Sequence, residues 1–128
     1  MEDNAERAIA AACHTYEAGI QNYTAAPKYT RGNRKGCHQW LIEWDKAPAD
    51  LKAFALTLDS ELRKLNSDYD AKRSGDLFLD PPEIITAKKG LFDNWLKSAG
   101  SHKLGGQRKV PRLSNNRSLM DTLLEMNH

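Results

Sequence analysis

Leu51, Phe54, Ala55, Leu58, Leu62 and Leu65 recur at three- and four-residue spacing, with Asp, Glu, Lys and Arg on the faces between them. That spacing is one apolar stripe of a helix, and Pro48 stands where such a helix opens. The stripe is stable only against another apolar surface. Burying its four leucines and Phe54 contributes about 1.5–3 kcal/mol per side chain before conformational entropy is subtracted. This helix is the expected spine of the core, and the remaining chain has to supply the surface that covers it.

Residues 37–44 offer that surface. His38, Trp40, Ile42 and Trp44 alternate with Cys37, Gln39, Leu41 and Glu43, the period of two that marks a strand, here with one strongly aromatic face. Residues 20–26 read as a shorter strand stopped by Pro27. The connection from Lys28 to Gly36 is basic and carries Gly and Asn. It is too short for a crossover helix, so the two strands are expected to pair as a hairpin. Ahead of them, Asp3 with Glu6 resembles a capping box. Ala5, Ala8, Ile9, Ala12, Cys13 and Tyr16 then form one helical face, with Gly19 placed to end it.

After the spine, Leu65-Asn66-Ser67-Asp68-Tyr69 ends or bends the helix, and residues 70–73 add a turn. Residues 83–87 are a third strand between Pro81-Pro82 and Lys88-Lys89-Gly90. Leu91, Phe92, Trp95 and Leu96 make a short amphipathic helix ended by Gly100, and Ser118 with Asp121 starts a last one carrying Leu119, Met120, Leu123 and Leu124. The order α-β-β-α-β-α-loop-α predicts a single α+β domain over residues 1–128. Its small, mostly antiparallel sheet of three to four strands is covered by helices.

The 128 residues suffice for a core without staples, and a net charge of +2 says little for a polyanionic partner. No apolar run has membrane-spanning length and Met1-Glu2-Asp3-Asn4 is unlike a signal peptide, so no membrane is expected. The two cysteines, Cys13 and Cys37, make no disulfide framework, and a cytoplasmic protein with reduced thiols is expected. Cys37 and His38 point to opposite faces of one strand and cannot easily share an ion. No metal site is predicted. No nucleophile elbow, Walker loop or dinucleotide fingerprint is present. Trp40, Trp44 and Trp95 are expected in the core.

Three polar segments remain. Tyr69, Lys72 and Arg73, interleaved with Asp68 and Asp70, read equally as a solvated helix end or as part of a site. Lys28, Arg31, Arg34 and Lys35 with Tyr29 are of the kind that contacts RNA phosphates. The exposed aromatic pairs of such domains are not recognisable in the central strands, however, and a nucleic-acid partner is not expected. The third is Lys103-Leu104-Gly105-Gly106-Gln107-Arg108-Lys109-Val110-Pro111-Arg112-Leu113-Ser114-Asn115. Gly-Gly admits backbone conformations closed to other residues, and Pro111 fixes φ just beyond. Taken alone the run is a solvated basic loop. Its layout also suits holding one cation in a chosen place.

Three segments in this order resemble the C-terminal domain of the auxin-responsive-promoter family of acyl-acid amido synthetases. They are His38-Gln39-Trp40-Leu41-Ile42-Glu43-Trp44, Leu65-Asn66-Ser67-Asp68-Tyr69 and Gln107-Arg108-Lys109-Val110-Pro111-Arg112. The strand at Pro82 to Ala87 and then Gly90-Leu91-Phe92 also fit, so the likeness runs from about Ile20 onward. Gly-Gly-Gln before the lysine and Leu-Ser-Asn after the arginine look like bacterial members. The resemblance implies an adenylate-forming enzyme in which a large N-terminal domain binds ATP, Mg2+ and a carboxylic acid, and a small C-terminal domain is a mobile lid. An acyl-adenylate forms with release of pyrophosphate, and an amine, usually an amino acid, then displaces AMP.

On that reading the family's lysine falls on Lys109, the catalytic residue, while Gly105, Gly106, Gln107, Lys109 and Arg112 face the nucleotide. The resemblance starts about where the small domain starts, so the N-terminal domain is expected to lie outside this chain, whether the chain is an excised fragment or a stand-alone homologue. The chain alone is expected to bind no cofactor and to be inactive. The alternative is a small basic module that binds nucleic acid or another protein.

Overall fold

The computed structural model describes residues 2–28, 36–74, 79–100, 113 and 117–127. Along the chain run α1 (Glu2–Tyr16), β1 (Gly19–Lys28), β2 (Cys37–Lys46), α2 (Leu51–Leu65), α3 (Ser67–Arg73), β3 (Glu83–Thr86), α4 (Leu91–Gly100) and α5 (Ser118–Met126). The architecture is the expected α+β one. The sheet has the order β1-β2-β3, with β2 central. β1 and β2 are the expected antiparallel hairpin, whose register sets Tyr23 opposite Ile42, Ala25 opposite Trp40 and Ala26 opposite Gln39. β3 pairs parallel to β2 from Gln39↔Glu83 to Ile42↔Thr86. The sheet is therefore mixed, because α2 and α3 form the long crossover that a parallel pair requires.

The spine forms as α2, but it starts at Leu51 and not at Pro48. Asp50 caps it, its carboxylate accepting from the backbone N–H of Lys52 (3.0 Å) and Ala53 (3.1 Å), which satisfies donors that the first turn leaves open. Phe54, Leu58 and Leu62 are fully buried, whereas Leu51 at the helix start is 38% exposed. Phe54 meets Trp44 edge-on at 5.1 Å between ring centroids. Tyr16 ties α1 to α2, its hydroxyl donating to the Ala53 carbonyl (3.1 Å) and pairing with the Thr57 hydroxyl (2.8 Å).

Two cores result. Ala5, Ala8, Ile9 and Ala12 of α1 and the α2 stripe pack on Tyr23, Ala25, Trp40, Ile42 and Trp44. On the opposite face Ala26 and Leu41 meet Leu91, Phe92 and Trp95 of α4 and Met120 and Leu123 of α5. The sheet is thus covered on both sides, and β2 buries Gln39, Trp40, Leu41 and Ile42 in succession. All three tryptophans are buried as expected. Trp44 Nε1 donates to Thr86 Oγ1 (3.3 Å), while the buried Trp40 Nε1 has no partner among the described residues.

Three local expectations are corrected. β1 does not stop at Pro27: the residue pairs with His38 inside the strand. A missing N–H is tolerated there because β1 is an edge strand. Helix α1 begins at Glu2, so Asp3 lies inside its first turn and not at a cap. It ends at Tyr16, and Glu17, not Gly19, takes the left-handed conformation that closes it (φ 52°), with Ala18 N–H donating to the Cys13 carbonyl (2.9 Å).

The end of the spine is also no solvated tail. Asn66 closes α2 with its backbone N–H on the Leu62 carbonyl (3.0 Å) and caps α3 with its side chain on Tyr69 N–H (2.9 Å). This double duty lets α3 turn back. Asp59, on the buried side of α2, then accepts from the Tyr69 hydroxyl (2.6 Å) and from Arg73 Nε (2.7 Å) and Nη2 (2.9 Å). Arg73 Nη1 also donates to the Leu79 carbonyl (3.0 Å), and Leu79 bridges Gly36. A buried bidentate ion pair thus joins α2, α3 and the approach to β3.

Two stability measurements follow. Glycine takes a left-handed conformation without the 1–2 kcal/mol or so that other residues incur, and it returns part of that as unfolded-chain entropy. Glu17→Gly is expected to raise the stability in a urea titration by about 0.5–1 kcal/mol. Burial, then the hydrogen bond to Asp59, pushes the Tyr69 phenol far above its ordinary 10.0. Above that ordinary value the unfolded chain releases a proton that the folded chain keeps, so stability falls as pH rises. Tyr69→Phe should be less stable than the parent at neutral pH and should show a shallower alkaline loss, read as urea midpoints between pH 9 and 12.

Candidate functional site

The alternation of β2 puts Gln39 on the α4/α5 face of the central strand, where it is 3% exposed. An amide at such a depth has to be hydrogen-bonded at both ends. Its Nε2 donates to Glu83 Oε1 (2.9 Å) on the neighbouring strand, and its Oε1 accepts from Arg117 Nη2 (2.8 Å). The second Glu83 oxygen is held by Lys28 Nζ (2.7 Å). Arg117 Nη1 donates to the Pro27 carbonyl (2.9 Å), and its Nε and Nη2 pair with Asp121 one helical turn on (3.1 and 3.0 Å). The hydrogen bond from Lys28 and then that from Gln39 draw the Glu83 carboxyl below its ordinary range against the opposing effect of burial. Glu83 is therefore an anion at neutral pH.

This cluster stands at the end of the basic, Gly-Gly-bearing run. That run leaves α4 and comes back to the sheet at Leu113, which bridges Ala25 on β1 in parallel sense and packs against the first core. Arg117 follows at the start of α5. The return is thus fixed twice, once by backbone pairing and once by a guanidinium spanning β1 and β2. The expected site residues Gly105, Gly106, Gln107, Lys109 and Arg112 lie outside the described residues, as do Lys103 and Arg108. The structure describes the frame on which their segment ends.

Other singled-out residues have settled partners. Lys28 is engaged by Glu83, and Lys97 pairs with Asp93 (3.2 Å) on the surface of α4, while Tyr29, Arg31, Arg34 and Lys35 lie outside the described residues. Tyr69 and Arg73 are buried and bound to Asp59. His38 stacks on Tyr69 at 5.8 Å, beside an open cleft of about 240 Å³ that Asn66, Asp68 and Lys72 also line. Burial, with the Lys72 charge nearby, lowers the His38 pKa, so the imidazole is neutral at pH 7. Burial, and then the Glu83 charge, raises the Cys37 pKa, so it presents a thiol and not a thiolate. It is no activated nucleophile. Among the described residues no three His, Cys, Asp or Glu side chains gather as metal ligands, and no helix is long and apolar enough to cross a membrane.

Reading along the sequence did not single out Gln39, Glu83, Arg117 or Asp59 as bonded groups. The available signal was local only for two of them. Gln39 is a polar residue beside Trp40 and Leu41 in a strand, and Asp59 falls three residues before Leu62 on the buried side of an amphipathic helix.

The geometry can now be set beside known proteins. The fold recurs in a solved structure described as "GH3.15 acyl acid amido synthetase", with 19% identity and a TM-score of 0.72 over 98% of this chain and 22% of that one. It recurs in "AtGH3.15 acyl acid amido synthetase in complex with 2,4-DB", with 20% identity and a TM-score of 0.73 over 98% of this chain and 23% of that one. At such identities the likeness establishes the fold, and the chain spans less than a quarter of those proteins. A comparison with curated proteins gives no match. The family described as "GH3 family C-terminal domain" matches residues 3–118, nearly the whole chain, and the protein belongs to that family.

Proposed function

We propose that this chain, as one domain over residues 1–128, is the small lid of an ATP-dependent ligase that joins a carboxylic acid to an amine through an acyl-adenylate. The observation that carries the reading is the family match over residues 3–118. It is supported by a fold shared across 98% of this chain with proteins described as acyl acid amido synthetases. A larger N-terminal domain of the same enzyme holds ATP, Mg2+ and the acid. We take Gly105-Gly106-Gln107 and Leu113-Ser114-Asn115 as marks of a bacterial-type member; the proposed setting is the cytoplasm, in keeping with two cysteines that make no disulfide framework, and the proposed acceptor is an amine such as an amino acid.

In this reading the acid's carboxylate attacks the α-phosphorus and pyrophosphate leaves. Negative charge grows on the oxygens around phosphorus, and the Lys109 ammonium meets it without the reorganisation that water would require. A lysine suits the task because it is a compact charge on a long stem. Gly105 and Gly106 let the backbone approach the nucleotide, Gln107 contacts it, and Arg112 braces the closed arrangement. Moving the lid brings the lysine in for adenylation and withdraws it for acyl transfer to the amine.

Lys109→Ala in the complete enzyme is expected to slow acyl-adenylate formation by about 10²–10³, the scale of losing one transition-state charge donor. Transfer from preformed acyl-adenylate to the amine should stay close to the parent rate, and an equal loss there would refute the assigned role. The chain by itself should release no pyrophosphate from ATP and acid in a coupled assay, and release should appear when the rest of the enzyme is supplied in trans. Turnover by the chain alone would overturn the lid reading.

A further inference from the structure

We infer that the cleft over His38, where β1 ends, β2 begins and α3 passes, is a binding site for a small organic monoanion: an apolar body with a carboxylate or sulfonate head. The site stands whether or not the chain is a lid. Two depressions meet there. The smaller, of about 240 Å³, is the one that Asn66, Asp68 and Tyr69 line. The larger, of about 520 Å³, is walled by Pro27, Gly36, Cys37 and Leu79, with Lys28 at its border. That volume is in the range of small-molecule sites. His38 and Lys72 line both depressions, so they stand where the two join.

Charge selects the ligand. Among the described residues the only charged side chains lining the larger depression are two ammoniums. Lys28 is tied to Glu83 (2.7 Å), whereas Lys72 forms no ion pair or hydrogen bond among the described residues. The Cys37 thiol and the His38 imidazole are uncharged at pH 7. One positive charge is left to be met, and a monoanion meets it. A dianion would also feel the Glu83 carboxylate on Lys28 and the Asp68 carboxylate in the smaller depression.

His38 gives the site its direction. Its ring lies nearly parallel to that of Tyr69, with 19° between the planes, and Tyr69 is itself fixed by its hydroxyl on Asp59 (2.6 Å). Neither imidazole nitrogen has a hydrogen-bond partner among the described residues. A neutral imidazole carries one N–H donor, so a single anionic head can take that donor and the Lys72 ammonium together. Pro27, Leu79 and the Cys37 thiol then offer the body of the ligand an apolar wall.

Calorimetric titration of the chain with hexanoate and with 4-methylbenzenesulfonate, at pH 7 and low salt, is expected to show saturable binding of each. Lys72→Gln should weaken it about threefold to fivefold, the scale of one exposed ion pair. His38→Phe keeps a ring against Tyr69 and loses the donor, and should weaken it about twofold to tenfold. Lys97→Gln, on the surface of α4, should change nothing. Hexan-1-ol, which has the body without the charge, and sulfate, which has a charged head without the body, should each bind at least tenfold more weakly. A bound anion also favours the imidazolium, so saturating 4-methylbenzenesulfonate should raise the His38 pKa read from its ring protons by NMR.

No saturable binding of either anion up to about 10 mM, a concentration that detects affinities near the millimolar scale, would overturn the inference. So would parent-like binding in Lys72→Gln, or an unmoved His38 pKa. Hexan-1-ol bound as tightly as hexanoate would mean a merely apolar hollow, and sulfate bound as tightly as the sulfonate a merely basic surface; either result overturns it too. Lys72 is exposed, so its substitution spares the core and decides alone should His38→Phe prove unfolded by circular dichroism.

Discussion

Neither face of β2 is left to water over its middle, Gln39–Ile42, and this constrains the rest of the protein. A strand with one wet face can carry polar side chains on it at no cost. β2 is packed by α1 and α2 on one side and by α4 and α5 on the other, so each residue of its buried run Gln39–Ile42 has to be apolar or bonded. The magnitudes show which effect wins where the two conflict. Burying a tryptophan removes about 150–250 Å², worth about 4–6 kcal/mol at 25 cal/mol per Å². An unpaired indole N–H costs about 1–3 kcal/mol. Trp40 can therefore sit with Nε1 lacking a partner among the described residues, its ring stacked on Tyr23 at 5.7 Å. Gln39 has no comparable apolar surface to set against its two polar ends, and it is bonded at both.

A second polar group buried on the α2 side has a different effect. A buried ion pair such as Asp59–Arg73 adds little net stability over a well-packed apolar pair, yet removing one partner strands a charge. What it contributes here is geometry. Arg73 reaches Asp59 on α2 and the Leu79 carbonyl on the way to β3, and Asp80 N–H donates to the Gly36 carbonyl at the entrance to β2 (2.9 Å). These bonds meet where the crossover from α3 comes down to the sheet. They bring β3 in beside β2 and parallel to it, with Glu83 opposite Gln39.

The elements legible in the sequence are those with a period. The three- and four-residue spacing of α2 and the alternation of β2 each identify an element and its buried face, and the short basic connection identifies the hairpin. What depends on neighbours far along the chain was not legible. The parallel placement of β3 follows from the crossover, and the persistence of β1 through Pro27 follows from its place at the edge of the sheet. Asp59 and Arg73 look like ordinary charges of an amphipathic helix and its tail until the fold brings them together. The same holds for the site. Gln39 meets Glu83 across 44 residues and Arg117 across 78, so no local pattern could pair them. Lys109 was reached by resemblance to a family, since periodicity and charge alone leave its segment a basic loop.

The frame around Gln39 also bears on the lid role proposed for this domain. An arm free along its length would spread its lysine over many positions, each ordered residue costing about 1–2 kcal/mol of backbone entropy at the moment of reaction. An arm whose end is already held loses less. Leu113 on β1 and Arg117 across β1 and β2 order that end in advance. The charged side chains around it are partly covered, with Arg117 22% and Lys28 41% exposed, so salt screens their charges less than it screens fully exposed ones. In the proposed role the lysine can then be delivered or withdrawn by moving the whole domain, without refolding its segment at every turnover. The sheet that builds the core thereby also holds Leu113 and Arg117 in place.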